Sequence, residues 1–151
     1  MSYKDKLAEN QEKRAKQAEQ AKRDAKRAKI RTEQQTREAA DKKNANPNDK
    51  KAVEKAAKEA IKEAKLAKKI AENVKDLPKE SDAAAKEAAN VADATKKEED
   101  REFSNDMNNL ADETTGNVKE AEQLADSAQR TADEARKIAE LPVDPPKDKK
   151  G

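Results

Sequence analysis

The chain is patterned in steps of three and four residues. Val118, Ala121, Ala125, Ala128, Ala132, Ala135 and Ala139 succeed one another at 3, 4, 3, 4, 3, 4, the a/d spacing of a heptad repeat. Leu124, Thr131 and Ile138 recur every seventh residue beside that stripe. Val53, Ala57, Ala60, Ala64, Ala67, Ala71 and Val74 form a second stripe, flanked by Ile70 and Leu77. A third comprises Ala18, Ala21, Ala25, Ala28, Thr32, Gln35 and Ala39, and weakens toward the N-terminus through Arg14 and Gln11 to Leu7. Between these, Ala85, Ala88 and Ala92 lead into Phe103, Met107 and Leu110 across the wholly polar stretch KKEEDRE at 96–102. The pattern leaves that stretch open between a frayed turn, a kink and a solvated turn of helix.

Caps and breakers divide the pattern into four expected helices, at about 3–43, 50–76, 81–112 and 118–140. Ser2 with Asp5 three residues on resembles a capping box. The cluster Asn44-Ala45-Asn46-Pro47-Asn48-Asp49 reads as a turn, with Asn48 or Asp49 as the next N-cap. Pro78 is expected to interrupt, and Ser81 to cap the third helix. Thr114-Thr115-Gly116-Asn117 reads as the third turn, with Gly116 at a C′ position and Asn117 pairing with Glu120 as a cap. Asn105, Asn108, Asn109 and Asp112 also favour an early end to the third helix. Pro142, Pro145 and Pro146 end the helical potential, and 142–151 reads as a disordered tail.

The expected fold is all-α: Ala-rich antiparallel coiled-coil hairpins over 1–141. These either close into a slender up-down-up-down four-helix bundle or associate with copies of the chain. Methyl knobs allow close helix approach but bury little. Each Ala removes about 0.8 kcal/mol worth of surface from water, against about 1.5–3 for Leu. The first helix, at about 60 Å, would outreach its neighbours. Its basic first third is expected to overhang and dock on the acidic half of another molecule.

Composition sharpens this picture. Of 151 residues, 45% are charged, 32% hydrophobic and 1% aromatic, and thirty are Ala. Leu, Ile, Val and Phe are too few for a bulky globular core, a deficit that disordered chains share. The net charge of only +2 and the scarcity of Gly and Pro argue instead for long helices. Acid-first i,i+4 pairs recur: Glu9 with Lys13, Glu12 with Lys16, Glu19 with Arg23, Glu33 with Arg37, Glu38 with Lys42, Glu54 with Lys58, Asp82 with Lys86, Asp126 with Arg130, and Asp133 with Lys137. Charge also segregates, with 24 bases against 15 acids in residues 1–80 and 11 against 18 in 81–151. The basic half is therefore expected to pack on the acidic half, within one chain or between chains.

The candidate chemistry is sparse. No His or Cys is present, which excludes imidazole bases, thiol nucleophiles, disulfides and the usual zinc ligands. The carboxylates have no apolar wall to raise a pKa and no EF-hand spacing. The expectation is a non-enzyme with no cofactor, metal or small-molecule substrate. Lys22, Arg23, Lys26, Arg27, Lys29 and Arg31 form a basic run that could contact a polyanion. The lack of stacking aromatics and of Trp, Phe and Leu anchors disfavours nucleic acid and membrane surfaces. Phe103, Met107 and Leu110 at i, i+4, i+7 read either as a local core plug or as a partner-docking patch.

The Ala/Lys/Glu-rich, aromatic-poor, Cys-free make-up resembles late-embryogenesis-abundant desiccation proteins, and also the Lys/Glu/Ala-rich helical stalks of bacterial surface proteins. The eleven-residue repeat of the former is not evident. Leu141-Pro142-Val143-Asp144-Pro145 departs from the sorting motif of the latter, so no family follows. The reading favoured is a structural or scaffolding protein (filament, spacer or bundle component) whose partner is itself or another helical protein. The alternatives are a hydrated stress protectant and a helical binding module for a protein or polyanion. If Met1 is the natural start, the absence of an apolar leader makes a cytoplasmic location the expectation; for a fragment no location follows.

Overall fold

The computed structural model describes residues 2–142 and is all-helical. Four helices follow one another: α1 (Tyr3–Ala45), α2 (Lys50–Asn73), α3 (Leu77–Thr95) and α4 (Glu98–Ile138). No helix among the described residues is long and apolar enough to cross a membrane. Of the expected 142–151 tail, residues 143–151 lie outside the described residues.

The first two helix starts follow their sequence signals. The amide of Asp5 donates to Ser2 Oγ at 3.2 Å, and the Ser2 amide to Asp5 Oδ2 at 3.4 Å, completing the reciprocal cap. Asp49 is the N-cap of α2, its Oδ1 accepting from the Ala52 amide at 3.2 Å, while Asn46 Oδ1 accepts from the Asn48 amide in an Asx turn.

The second half departs from expectation. Pro78 does not precede the third helix but sits in its first turn, where its missing N–H costs nothing. α2 ends earlier, at Asn73, and Val74, Lys75 and Leu77 donate to carbonyls three residues back in a tightened connection. Ser81 is no cap; it is fully buried inside α3. The break expected at 114–117 does not occur, and α4 runs through it. The a/d pattern explains why. Extended backward from Val118, it picks up Thr114, Ala111, Met107, Ser104 and Asp100, all buried. Burial of that unbroken face outweighs the cost of about 1 kcal/mol for Gly116 in a helix interior. Thr114 Oγ1 donates to the Leu110 carbonyl at 2.8 Å, so the hydroxyl is satisfied within the helix. Asn105, Asn108, Asn109 and Asp112 lie exposed on its outer faces.

The polar stretch at 96–102 holds the real break. Lys96 adopts the left-handed conformation, φ 57°, and its amide donates to the Ala92 carbonyl at 2.9 Å, closing α3. α4 then starts at Glu98 with Glu98, Glu99 and Asp100 in its first turn, where the helix dipole favours acids. At the other end of α4, Glu140 is also left-handed, φ 56°. The amides of Glu140 and Leu141 donate to the Lys137 and Arg136 carbonyls, a Schellman closure. Lys43 Nζ adds a hydrogen bond to the Ile138 carbonyl at 2.7 Å.

The chain divides into two compact units, one from residues 1–25 with 69–123, the other from 26–68 with 124 onward. In the first unit α1, α3 and α4 meet around Ala84, Ala85, Ala88, Met107 and Ala111, with Leu7 and Phe103 against them. In the second α1, α2 and α4 meet around Ala39, Val53, Ala56, Ala57, Ala60 and Ala135, with Ile138, Ala139 and Leu141 against them.

Candidate functional site

The seams are the most elaborated feature of the chain. Val53, Ala57, Ala60, Ala64, Ala67, Ala71 and Val74 are all buried, as are Ala18, Ala21, Ala25 and Ala28. So are Val118, Ala121, Ala125, Ala128, Ala132 and Ala135, whereas Ala139, past the end of α4, is only half-buried. On α1 the seam passes through Thr36 rather than Gln35, which is half-buried. Thr32 and Thr36 each donate their hydroxyl to the carbonyl four residues back at 2.8 Å, so both enter the seam without an orphaned donor.

The N-terminal third of α1 does not overhang. Gln11 is 0% exposed and Ala15 buried. Gln11 Nε2 donates to the carbonyls of Ser81 on α3 at 2.9 Å and Met107 on α4 at 3.1 Å. Its Oε1 accepts from Arg14 Nη1 at 2.9 Å, and the Arg14 guanidinium faces Glu80 at 3.7 Å. One amide thus ties three helix segments of the first unit. Beside it, Ser81 Oγ is buried without a partner. The signal for this layer is present in the sequence, since Gln11, Ala15 and Ala18 continue the 4, 3 spacing, but Gln is read as a surface residue by type.

A second polar junction closes the α3–α4 turn. Lys4 Nζ pairs with Asp100 Oδ1 and lies 5.4 Å from the centre of the Phe103 ring, within cation–π reach. Thr95 Oγ1 donates to Asp100 Oδ2. The Lys4 hydrogen bond, then that from Thr95, holds the Asp100 carboxyl below the ordinary carboxylate range. The same Asp100 contact raises Lys4. Tyr3 donates its phenol to Glu87.

The expected patch of Phe103, Met107 and Leu110 is not a free surface. Met107 is 1% exposed in the core of the first unit, and Phe103 and Leu110 are half-buried. The local-plug reading fits that geometry and a docking patch does not, because the central residue has nothing left to offer a partner.

The basic run of α1 is distributed among acids. Lys22 meets Glu120 of α4 at 3.1 Å, Arg23 meets Glu19 at 2.6 Å, Lys29 approaches Glu33 at 3.9 Å, and Arg31 meets Glu63 of α2 at 3.0 Å. Lys26 and Arg27 are exposed. At least four of the six cations thus have a carboxylate within 4 Å. Lys4 with Asp100 and Lys22 with Glu120 join the basic half of the chain to its acidic half. Arg14 with Glu80 and Arg31 with Glu63 pair helices inside the basic half. Among the i,i+4 pairs, Glu9 with Lys13, Glu19 with Arg23, and Glu38 with Lys42 form, at 3.7, 2.6 and 3.1 Å.

The concavities are shallow. An open groove of about 360 Å³ in the first unit runs between Gln17, Gln20, Ala21 and Asp24 of α1 and Ile70, Asn73, Val74 and Leu77. The second unit has a recess of about 30 Å³ by Lys43, Pro47, Lys50 and Val53. Among the described residues no group of three or more acids is placed to hold a metal ion. No protein-family model, curated protein or solved structure matches the chain.

Proposed function

We propose that the protein is a structural, scaffolding element that acts through helix–helix packing, its helices packed in coiled-coil fashion and its copies associating with one another. The observation that carries this reading is the burial of the 4, 3-spaced Ala seams on α1, α2 and α4. A chain that buries most of its alanines in close helix contacts is suited to hold shape. Three helix segments meet in each unit, which favours three-stranded over four-stranded packing. The thin burial per Ala makes added contacts with a neighbouring copy energetically useful.

Circular-dichroism melting across a hundredfold range of protein concentration tests the proposal. High helicity with a midpoint that rises with concentration is expected, because association stabilises the folded state by mass action. A cooperative midpoint independent of concentration removes self-association. Low helicity without a cooperative transition overturns the structural role altogether and leaves a hydrated protectant.

A further inference from the structure

The seams occupy the inner faces; the outer faces carry a pattern of their own. On α2, within the second unit, Lys51, Lys55, Lys58 and Lys62 follow at 4, 3, 4, and every one is exposed. On α4, within the first unit, Glu102, Asp106, Asn109 and Glu113 follow at the same 4, 3, 4, again all exposed. Both rows lie opposite the buried stripe of their own helix, and both span about 17 Å. The wider sequence has the same polarity, with 14 bases and 7 acids in residues 26–68 against 8 and 15 in residues 69–123.

We infer that the lysine row of α2 is a docking surface for a second copy of this chain, which seats on it the acidic row of its α4. The inference rests on the proposed self-association and supplies its contact. The two rows are opposite in sign and match in length and in pitch, because each repeats on one face every 3.5 residues on average. Both are exposed within a single chain, so each is accessible to a neighbour. A nucleic acid is the poorer occupant. Glu54 and Glu59 border the lysine row and would oppose a continuous phosphate backbone, and a polyanion leaves the acidic row uncovered. The contact joins two different patches; it closes as a two-fold dimer where both can pair reciprocally and propagates into rings or chains where they cannot. Exposed ion pairs are individually weak and screened by salt, so the assembly is reversible and dissociates as ionic strength rises.

The test uses the full chain in analytical ultracentrifugation at 20 mM and 500 mM NaCl, with circular dichroism as the folding control. One variant reverses the basic row (Lys55→Glu, Lys58→Glu, Lys62→Glu). A second reverses the acidic row (Glu102→Lys, Asp106→Lys, Glu113→Lys). A third neutralises the basic row with Gln at the same three lysines, in case reversal perturbs α2. The wild type is expected to associate at low salt, with association weakened at least about tenfold at high salt. Each reversal alone, and the Gln variant, raises the dissociation constant at least about tenfold. Mixing the two reversed variants restores association, because their rows are again opposite in sign. Wild-type association that survives all three variants leaves self-association standing and overturns this contact. A wild type that stays monomeric at both salt concentrations overturns both readings. Capture of duplex DNA by that monomer, lost in the Gln variant, assigns the lysine row to a polyanion instead.

Discussion

Replacing Gln11 by Ala tests whether the polar layer of the first unit holds its three helix segments. Gln11 is completely buried, with donor bonds of 2.9 and 3.1 Å to the Ser81 and Met107 carbonyls and an acceptor bond of 2.9 Å from Arg14. Both carbonyls lie within helices, so truncation does not orphan them. The loss is the net value of the amide's hydrogen bonds, about 1 kcal/mol each at most, plus a cavity left by the deleted amide group. About 2 kcal/mol of destabilisation is expected. In a chain of this length that lowers Tm by about 4–8 °C. Urea titration followed by circular dichroism reads it as a lower midpoint at unchanged slope. Gln11→Met keeps most of the volume without the donors and is expected within about 1 kcal/mol of the wild type. Its expected defect is specificity, since a buried polar group that bonds across helices fixes register. Duplicated amide cross-peaks from residues 3–25 in a ¹⁵N–¹H spectrum would report it. A cost below about 0.5 kcal/mol for Gln11→Ala would refute the layer.

Other consequences follow from the helix ends and surface. Gly116 is exposed in mid-α4 with open space where a methyl group would sit, so Gly116→Ala should stabilise by about 1 kcal/mol in urea titration; destabilisation would mean that α4 does break there. Lys96 holds a left-handed φ of 57°, so Lys96→Gly should stabilise by about 1 kcal/mol in thermal melts, whereas Lys96→Val should destabilise. The lowered Asp100 carboxyl contributes stability that is present above its ordinary range and lost as pH falls through its depressed pKa. The raised Lys4 contributes stability that is present below the ordinary lysine range and lost as pH rises through its raised pKa. Asp100→Asn should therefore flatten the fall in Tm below about pH 4; an unchanged acid limb would show that the contact adds nothing.

The helix most legible from sequence is the one whose whole seam is Ala and Val. α2 is readable because Val53 through Val74 repeats without exception and Asp49 caps it. The course of α4 is hidden because its seam passes through Asp100, Ser104 and Thr114. Scored by polarity alone, Thr114-Thr115-Gly116-Asn117 has the make-up of a turn. The structure satisfies these polar side chains close at hand: Thr114 against its own helix, Asp100 against Lys4 and Thr95. Burial in a thin seam is thus decided by position in the repeat, and by whether a partner lies within reach, before it is decided by side-chain hydrophobicity. Pro78 is ambiguous for a related reason, since the same residue that ends one helix is well suited to the first turn of the next.

The same logic accounts for where specificity resides. Ala seams are nearly degenerate: shifting one helix by seven residues along another places methyl on methyl, and the burial changes little. Discrimination between registers must come from the positions that are not Ala. Those include Gln11, Met107, Thr114, Val118 and the Lys4–Asp100 junction in the first unit, and Thr32, Thr36 and Val53 in the second. Thr36 Oγ1 lies 3.4 Å from the Thr131 carbonyl of α4 in addition to its bond within α1, and Arg31 meets Glu63 across α1 and α2. Each unit therefore has its own polar ties on an alanine background. Substituting the ties should loosen register at modest cost in stability. Enlarging a seam methyl, as in Ala60→Leu, should instead cost about 1–3 kcal/mol by overpacking, with register unaffected. A seam substitution that destabilised less than Gln11→Ala and yet scrambled the amide spectrum would reverse that assignment of roles.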